Sequence, residues 1–234
     1  MRPYIIINGK ASNLIDGLLI QSLPPISKPK MRASVEEIDG RDGDQVTPLG
    51  FSAYDKQISI GLHGDFNVDD VIEYFNQSGK VTFSNEIDKY YLFSVYEAID
   101  FAKLIRFKTA NVTFHVQPFK YWMEEQPIRW TNPGDKTIAA VSVRNIGNYF
   151  SRPKLTITGA GVVTVYIDNK QVLQMQLDGT AIIDDFNAVD PEGNYLNRSV
   201  TGDYEDIKLD PGVHTVRVTG ALESVVVEKY TRWI

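Results

Sequence analysis

No cysteine occurs among the 234 residues, and that one absence removes disulfides, thiolate zinc sites, iron–sulfur clusters and a cysteine nucleophile together. No apolar run approaches the roughly 18 residues of a membrane span. The N-terminal apolar run, residues 4–7, stops at Asn8 and Gly9, short of the roughly 7 to 15 residues a signal peptide needs. The expectation is a soluble protein made in the cytoplasm, without membrane insertion. Glycosylation sequons at Asn76, Asn111 and Asn197 carry little weight without a secretion signal. Low-complexity tracts are missing, so the whole chain is expected to fold. Positive charge is scarce and scattered: the net charge is −6, and phosphate binding needs a concentrated basic face, so nucleic acid is not an expected partner.

Reactive constellations are equally thin. His63, His115 and His214 each stand alone in a strand pattern, with no second ligand at metal spacing. There is no nucleophile elbow, Walker loop or dinucleotide fingerprint. Gly159-Ala160-Gly161 reads as a turn between strands and not a phosphate cradle, because no helix follows it. Between 184 and 206 stand Asp184, Asp185, Asp190, Glu192, Asp203, Glu205 and Asp206 against the single base Arg198. Such a loop can bind calcium, but the spacing fits no EF-hand, and a solvated loop is the preferred reading. The sequence therefore gives no catalytic residue, no metal ligand and no cofactor, and the chain reads as a non-enzyme.

What is present is strand periodicity. Residues 106–116 alternate, with Val112, Phe114 and Val116 on one face and Thr113 and His115 on the other. Pro118 has no N–H to give a neighbour and is read as the end of that ladder and the edge of a first domain, 1–121, with a second at 122–234. Earlier strands are expected at 4–7, 18–22, 56–62, 81–83 and 89–98. Tyr91, Phe93 and Val95 point one way on the last of these and Tyr90, Leu92 and Tyr96 the other, so it is central or offers one face to another subunit. A proline-studded connector, 23–30, leads into a hairpin arm over 31–44 with Ala33, Val35 and Ile38 before the turn Gly40-Arg41-Asp42-Gly43. The spacing predicts one helix over 67–78, capped by Asn67, with Asp69 and Asp70 in its first turn. Phe66 is placed to staple onto Val71, Val68, Val71, Ile72 and Phe75 form its apolar stripe, and Gly79 is its stop.

Beyond Trp122 the pattern is short strands and turns: 137–143, 154–158, 162–167, 171–177, 214–219 and 224–230, with Asp168-Asn169 as a two-residue hairpin. This is the signature of a β-sandwich or jelly roll. Tyr149, Phe150, Tyr166 and Tyr195 are candidates for a sugar-stacking platform, which makes a carbohydrate-binding module contacting the host cell surface the alternative function. Aromatics at strand positions are more often core or interface.

Six segments fall in a recognisable order: Gly40-Arg41-Asp42-Gly43, Val116-Gln117-Pro118-Phe119-Lys120-Tyr121, Asn145-x-Gly147-Asn148, Ser151-x-Pro153-x-Leu155-x-Ile157-x-Gly159, Leu209-x-Pro211-Gly212 and Tyr230-Thr231-Arg232-Trp233. Together they resemble the distal tail protein (Dit) of long-tailed, siphovirus-type phages or prophages of Gram-positive bacteria, over essentially the whole chain. The resemblance implies a mainly β protein: an N-terminal β-sandwich-like ring domain with a hairpin arm and a packed helix, then a galectin-like β-sandwich. It implies a hexameric ring in the virion, at the tail tip, touching the tail tube protein, the tail-associated tip protein and receptor-binding or baseplate proteins. Where relatives often have proline before Gly-Arg-Asp-Gly, this chain has Asp39, and 234 residues leave no room for an inserted carbohydrate-binding module. Arg41 and Asp42 are expected to pair between subunits, and Tyr91, Phe93 and Val95 to face a sister copy.

Overall fold

The computed structural model describes residues 2–95, 97, 99–134 and 136–234, in two compact units, Met1–Met123 with Ile234, and Glu124–Trp233. In chain order the first unit contains β1 (Ile5–Ile7), β2 (Lys10–Ala11), β3 (Leu18–Ser22), β4 (Met31–Glu37), β5 (Asp44–Phe51) and β6 (Tyr54–Leu62). Helix α1 (Val68–Phe75), β7 (Ser78–Phe83), β8 (Lys89–Ser94), α2 (Phe101–Phe107) and β9 (Thr109–Trp122) follow. Seven of these strands make one sheet in the order β2-β1-β7-β8-β9-β6-β3, antiparallel at every step. Among the described residues β4 and β5 pair only with each other.

β9 carries the core. Val112, Phe114 and Val116 are fully buried, and the Phe114 ring meets Phe93 edge-on at 5.2 Å and Phe83 at 5.8 Å, a favoured aromatic geometry. Pro118 does not end this strand, contrary to the sequence reading. Pairing with β6 stops at Val116, and the register with β8 slips between Phe93↔Val116 and Tyr91↔Lys120. The proline falls in that irregularity, where the ladder asks nothing of its missing N–H.

Asn67 caps α1 by accepting the Asp69 N–H at 3.0 Å, and Val71, Tyr74 and Phe75 are its buried residues. The Tyr74 hydroxyl lies 3.2 and 3.1 Å from the Ile5 and Lys10 carbonyls, which share its one proton, and burial pushes that phenol well above its usual range. The helix is shorter than the expected 67–78. Ser78 and Gly79 pair with Ser94 and Phe93 of β8, and Gly79, at φ 134°, lies where a Cβ would overlap the Asn8 amide oxygen, so this glycine serves a strand and not a helix stop. The expected strand start at 106 is also corrected. Residues 101–107 are helical, because Asp100 accepts the Lys103 N–H at 2.8 Å and Lys108 turns the chain out at φ 57°. Of the expected strand 89–98, pairing ends at Ser94, and Tyr96 and Ala98 lie outside the described residues.

The second unit contains β10 (Ile128–Thr131), β11 (Ile138–Asn145), β12 (Lys154–Ile167), β13 (Lys170–Asp184), β14 (Asn187–Val189), β15 (Val200–Gly202) and β16 (Gly212–Glu228). Segments expected to be separate strands fuse here, 154–167 and 212–228, into β12 and β16. Each long strand serves two layers. The first half of β16 pairs with β11 and with 164–167 of β12, while its second half pairs with β10 and with 154–159. Likewise β13 pairs first with β15 and then with β14. The passage between layers comes at glycines, Gly159, Gly161, Gly179 and Gly220, of which the last three have positive φ, and the β12–β16 register breaks beside them. Gly159-Ala160-Gly161 is thus a bend inside a strand and not a turn. One buried cluster, with Ile157, Val165, Leu173, Val218 and Val225 at its heart, fills the space between the layers. The architecture is a β-sandwich.

Two loops of this unit have sequence causes. Asn145 is 2% exposed; its amide donates to the Tyr149 and Leu209 carbonyls at 3.0 and 2.8 Å and accepts the Gly147 N–H at 2.9 Å. Gly147 is fixed as glycine, since a Cβ would overlap the Arg232 carbonyl. The Asp168-Asn169 turn has φ of 48° and 68°, the left-handed pair a tight hairpin requires. Asp168 then accepts the Thr215 N–H at 2.8 Å and meets His214 Nδ1 at 2.6 Å, while His214 Nε2 meets the Asp210 carbonyl at 2.7 Å. Acceptors at both ring nitrogens favour the imidazolium. Burial opposes that charge, but the Asp168 and Asp210 contacts outweigh it and the His214 pKa is raised.

Two outcomes follow. Asn145→Ala orphans buried partners and should cost about 2 to 4 kcal/mol, read as a lower midpoint in chemical denaturation. The stability His214 supplies should be complete below its free value of about 6.5 and be lost as pH rises through its higher folded value. The stability difference between wild type and His214→Gln should shrink over that interval, and a difference constant with pH would exclude the charge-assisted clamp.

Candidate assembly surface

The β4–β5 ribbon stands apart from the main sheet. Its register places Val35 opposite Val46, Ala33 opposite Pro48 and Met31 opposite Phe51 on one face, with Ser34 opposite Thr47 and Glu36 opposite Gln45 on the other. Alternation makes this an amphipathic ribbon; at its root Phe51 packs edge-on against Phe119 at 5.9 Å, but among the described residues no second layer covers the apolar face further out, where Val35 is 56% exposed and Val46 52%. Leu49, at the register slip between Arg32 and Ala33, and Ile38, before the turn, are exposed as well. At the tip the Arg41 N–H bonds the Ile38 carbonyl at 3.1 Å, and Gly40 and Gly43 both take positive φ, 81° and 80°. The arm is longer than the expected 31–44. Its return strand runs to Phe51 and was hidden by Pro48 and Gly50, which do not read as strand residues.

The root of this arm is fastened by side chains. The connector 23–30 belongs to no ladder, so its carbonyls need donors from elsewhere in the unit. Lys56 Nζ donates to the Pro25 carbonyl at 2.8 Å, Asn85 to Pro24 at 3.1 Å and Tyr54 to Ser27 at 3.4 Å, while the Ser52 N–H closes on Lys30 at 2.9 Å. Lys56 is 3% exposed and sits 5.0 Å from the centre of the Tyr91 ring. Burial, aided by the Lys120 charge and opposed by Glu86, lowers its pKa to about 8. Glu86 in turn receives Lys120 at 2.7 Å and the Tyr91 hydroxyl at 2.9 Å, and burial raises the Tyr91 phenol far above its ordinary value. No local sequence signal marks this network, since Lys56, Tyr91 and Lys120 come from different strands and Glu86 from the turn before β8.

The expected interface residues divide. Arg41 and Asp42 are exposed at the arm tip. Tyr91 and Phe93, at 0% and 5% exposure, are consumed by the unit's own core and offer no free face, which corrects their assignment to a neighbour. Val95 is partly buried against the same cluster.

The other candidates are dispersed. Tyr166 lies beneath the Arg217 guanidinium at 4.0 Å, and Arg232 stands 5.4 Å from the Tyr149 ring centre and 4.6 Å from that of Phe150, so cations already occupy these rings. Tyr195 is 72% exposed. In the acidic segment four of the seven carboxylates are engaged separately. Asp190 takes the Asn194 backbone and amide at 2.7 and 2.8 Å, Asp203 caps Glu205 at 2.8 Å, and Asp206 and Asp185 pair with Lys170 and Arg152 at 2.6 and 3.4 Å. Among the described residues no three acidic or histidine side chains converge as metal ligands. His115 pairs across the ladder with Asp55 at 2.7 Å, His214 is held in its clamp, and His63 is exposed. Among the described residues no helix is long and apolar enough to cross a membrane.

No family model matches the chain, and no curated protein matches it in sequence. Solved structures do. The chain is similar to the Dit protein (gp 19.1) of SPP1, described as a paradigm of the hub adsorption apparatus in Gram-positive infecting phages, with 18% identity, a TM-score of 0.66 and coverage of 97% of this chain and 99% of that one. It is also similar to a chain of the phage P2 baseplate in its activated conformation with calcium, at 11% identity, a TM-score of 0.52 and 98% coverage of each chain. Over nearly its whole length, this chain has a Dit-like, β-rich fold.

Proposed function

We propose that this chain is a structural protein of a phage tail tip, present as a hexameric ring that joins the tail tube protein to the tail-associated tip and host-adsorption proteins. The observation that carries the reading is the uncovered apolar face of the β4–β5 ribbon in a protein whose fold matches a phage hub protein along nearly its full length. A two-stranded ribbon alone is at best marginally stable in water, so the arm has a physical reason to be covered by another chain. A heterologous contact of this kind closes into a ring when the rotation permits. In this reading the N-terminal unit makes the ring, Arg41 and Asp42 form ion pairs between subunits, and the C-terminal sandwich is left to meet neighbouring baseplate or receptor-binding proteins. The role uses surfaces and assigns no catalytic residue, metal or cofactor.

Native mass spectrometry over a concentration series should show six copies, and negative stain a ring. Replacing residues 33–48 by a short Gly/Ser loop should leave a folded monomer, with unchanged core circular dichroism, that no longer assembles. Arg41→Glu should weaken assembly at least several-fold in light scattering. An intact ring without the arm, or a wild-type chain that stays monomeric at every concentration, would overturn the proposal.

A further inference from the structure

We propose that the arm of one copy seats on helix α2 of a second copy, with Val35 and Val46 against Phe107 and with Glu37 and Asp44 against Lys103 and Arg106. This rests on the ring reading and names the surface that receives the arm. α2 has seven residues and buries only Leu104, whereas Ile105 is 44% and Phe107 60% exposed. So short a helix depends on packing for its stability, and here most of its surface has none. Lys103, Arg106 and Phe107 stand at i, i+3 and i+4 and share one face; the Arg106 guanidinium lies 5.1 Å from the centre of the Phe107 ring, which stays 60% exposed, so a partner meets an apolar ring flanked by a cation. Among the described residues neither cation forms an ion pair.

The arm is the chemical complement. Directly beyond Val35 and Val46, on the same face, Glu37 lies opposite Asp44, and like charges in that position repel. Among the described residues neither carboxylate pairs with a cation in its own subunit. The tip from 36 to 44 holds Glu36, Glu37, Asp39, Asp42 and Asp44 against Arg41, five acids and one base, for a net charge of −4. The spacings agree as well. Two residues along a strand advance about 6.6 Å, and four along a helix about 6 Å, so an apolar contact at Phe107 brings the paired carboxylates over Lys103. Each side thereby supplies what the other lacks: an apolar cover and a counter-charge.

The absence of cysteine makes the test clean, since any disulfide must come from introduced residues. Copies carrying Val46→Cys, mixed with copies carrying Phe107→Cys and oxidised, should give a disulfide-linked dimer in at least tenfold excess over either variant alone. Lys103→Glu with Arg106→Glu should raise the concentration for half-assembly at least tenfold, and adding Glu37→Lys with Asp44→Lys in the same chain should restore it. Restoration also shows that the reversed helix folds. If the wild type forms a ring but the mixed cysteine variants give no cross-link, or the ring survives the charge reversal unchanged, the arm seats elsewhere and this inference is overturned while the ring reading stands. A wild-type chain that never assembles overturns both.

Discussion

The structure turns on one mismatch: a β-ribbon with a single apolar face and no layer to set against it. Amphipathic elements are stable when the apolar face is removed from water, and β4 and β5 have only each other. Their hydrogen bonds hold the ribbon in register, but Val35 and Val46 remain more than half exposed. Natural proteins blunt an exposed ribbon with charge, bulges and proline. This arm has all three, in Glu37 and Asp44, in the slip at Leu49 and in Pro48. These devices discourage indiscriminate strand pairing while leaving the apolar face available, the combination a specific partner requires.

The two units meet the same problem differently. The C-terminal unit folds its sheet over on itself at Gly159, Gly161, Gly179 and Gly220, so that β12, β13 and β16 each contribute to both layers and the apolar faces meet inside one chain. The N-terminal unit covers its sheet with α1, through Val71, Tyr74 and Phe75, but leaves the ribbon and most of α2 in water.

Local chemistry was legible in the sequence and tertiary chemistry was not. Asn67 followed by Asp69 and Asp70 marked the start of α1, and Asp168-Asn169 marked its hairpin, because each signal acts within a few residues. Pro118, Gly79 and the Gly159-Ala160-Gly161 run were misread for one shared reason. Residues that usually terminate elements sit here inside strands: a register slip tolerates Pro118, a close approach to Asn8 requires Gly79, and the passage between layers uses Gly159 and Gly161. Tyr91 and Phe93 had the correct alternation, but alternation cannot say which of two apolar faces the monomer keeps. The arm was legible as a hairpin at its glycine tip, not at its return strand. The complementary charges of arm and α2 were present as letters but had no meaning until α2 was seen as a helix with three outward residues on one face.

The buried charges beneath the arm root show what this orientation costs. Lys56, Lys120 and Glu86 place two cations and one anion in a largely apolar setting, and buried ion pairs seldom add net stability over apolar residues of similar size. Lys56, lowered to about 8 from 10.5, is a penalty on folding that is present in full at neutral pH and relieved as pH rises from 8 toward 10.5. Tyr54 and Tyr91, raised by burial, act in the opposite sense only above about pH 10, where an unfolded tyrosine would ionise. At neutral pH the fold therefore carries the Lys56 charge at a loss. What that charge does is hold the Pro25 carbonyl, and with Asn85 and Tyr54 it fixes a connector that cannot bond through its own prolines. A stiff, three-point attachment spends stability to set the direction in which the ribbon leaves the sheet. That expenditure has a physical purpose only if the far end of the ribbon must reach a definite place.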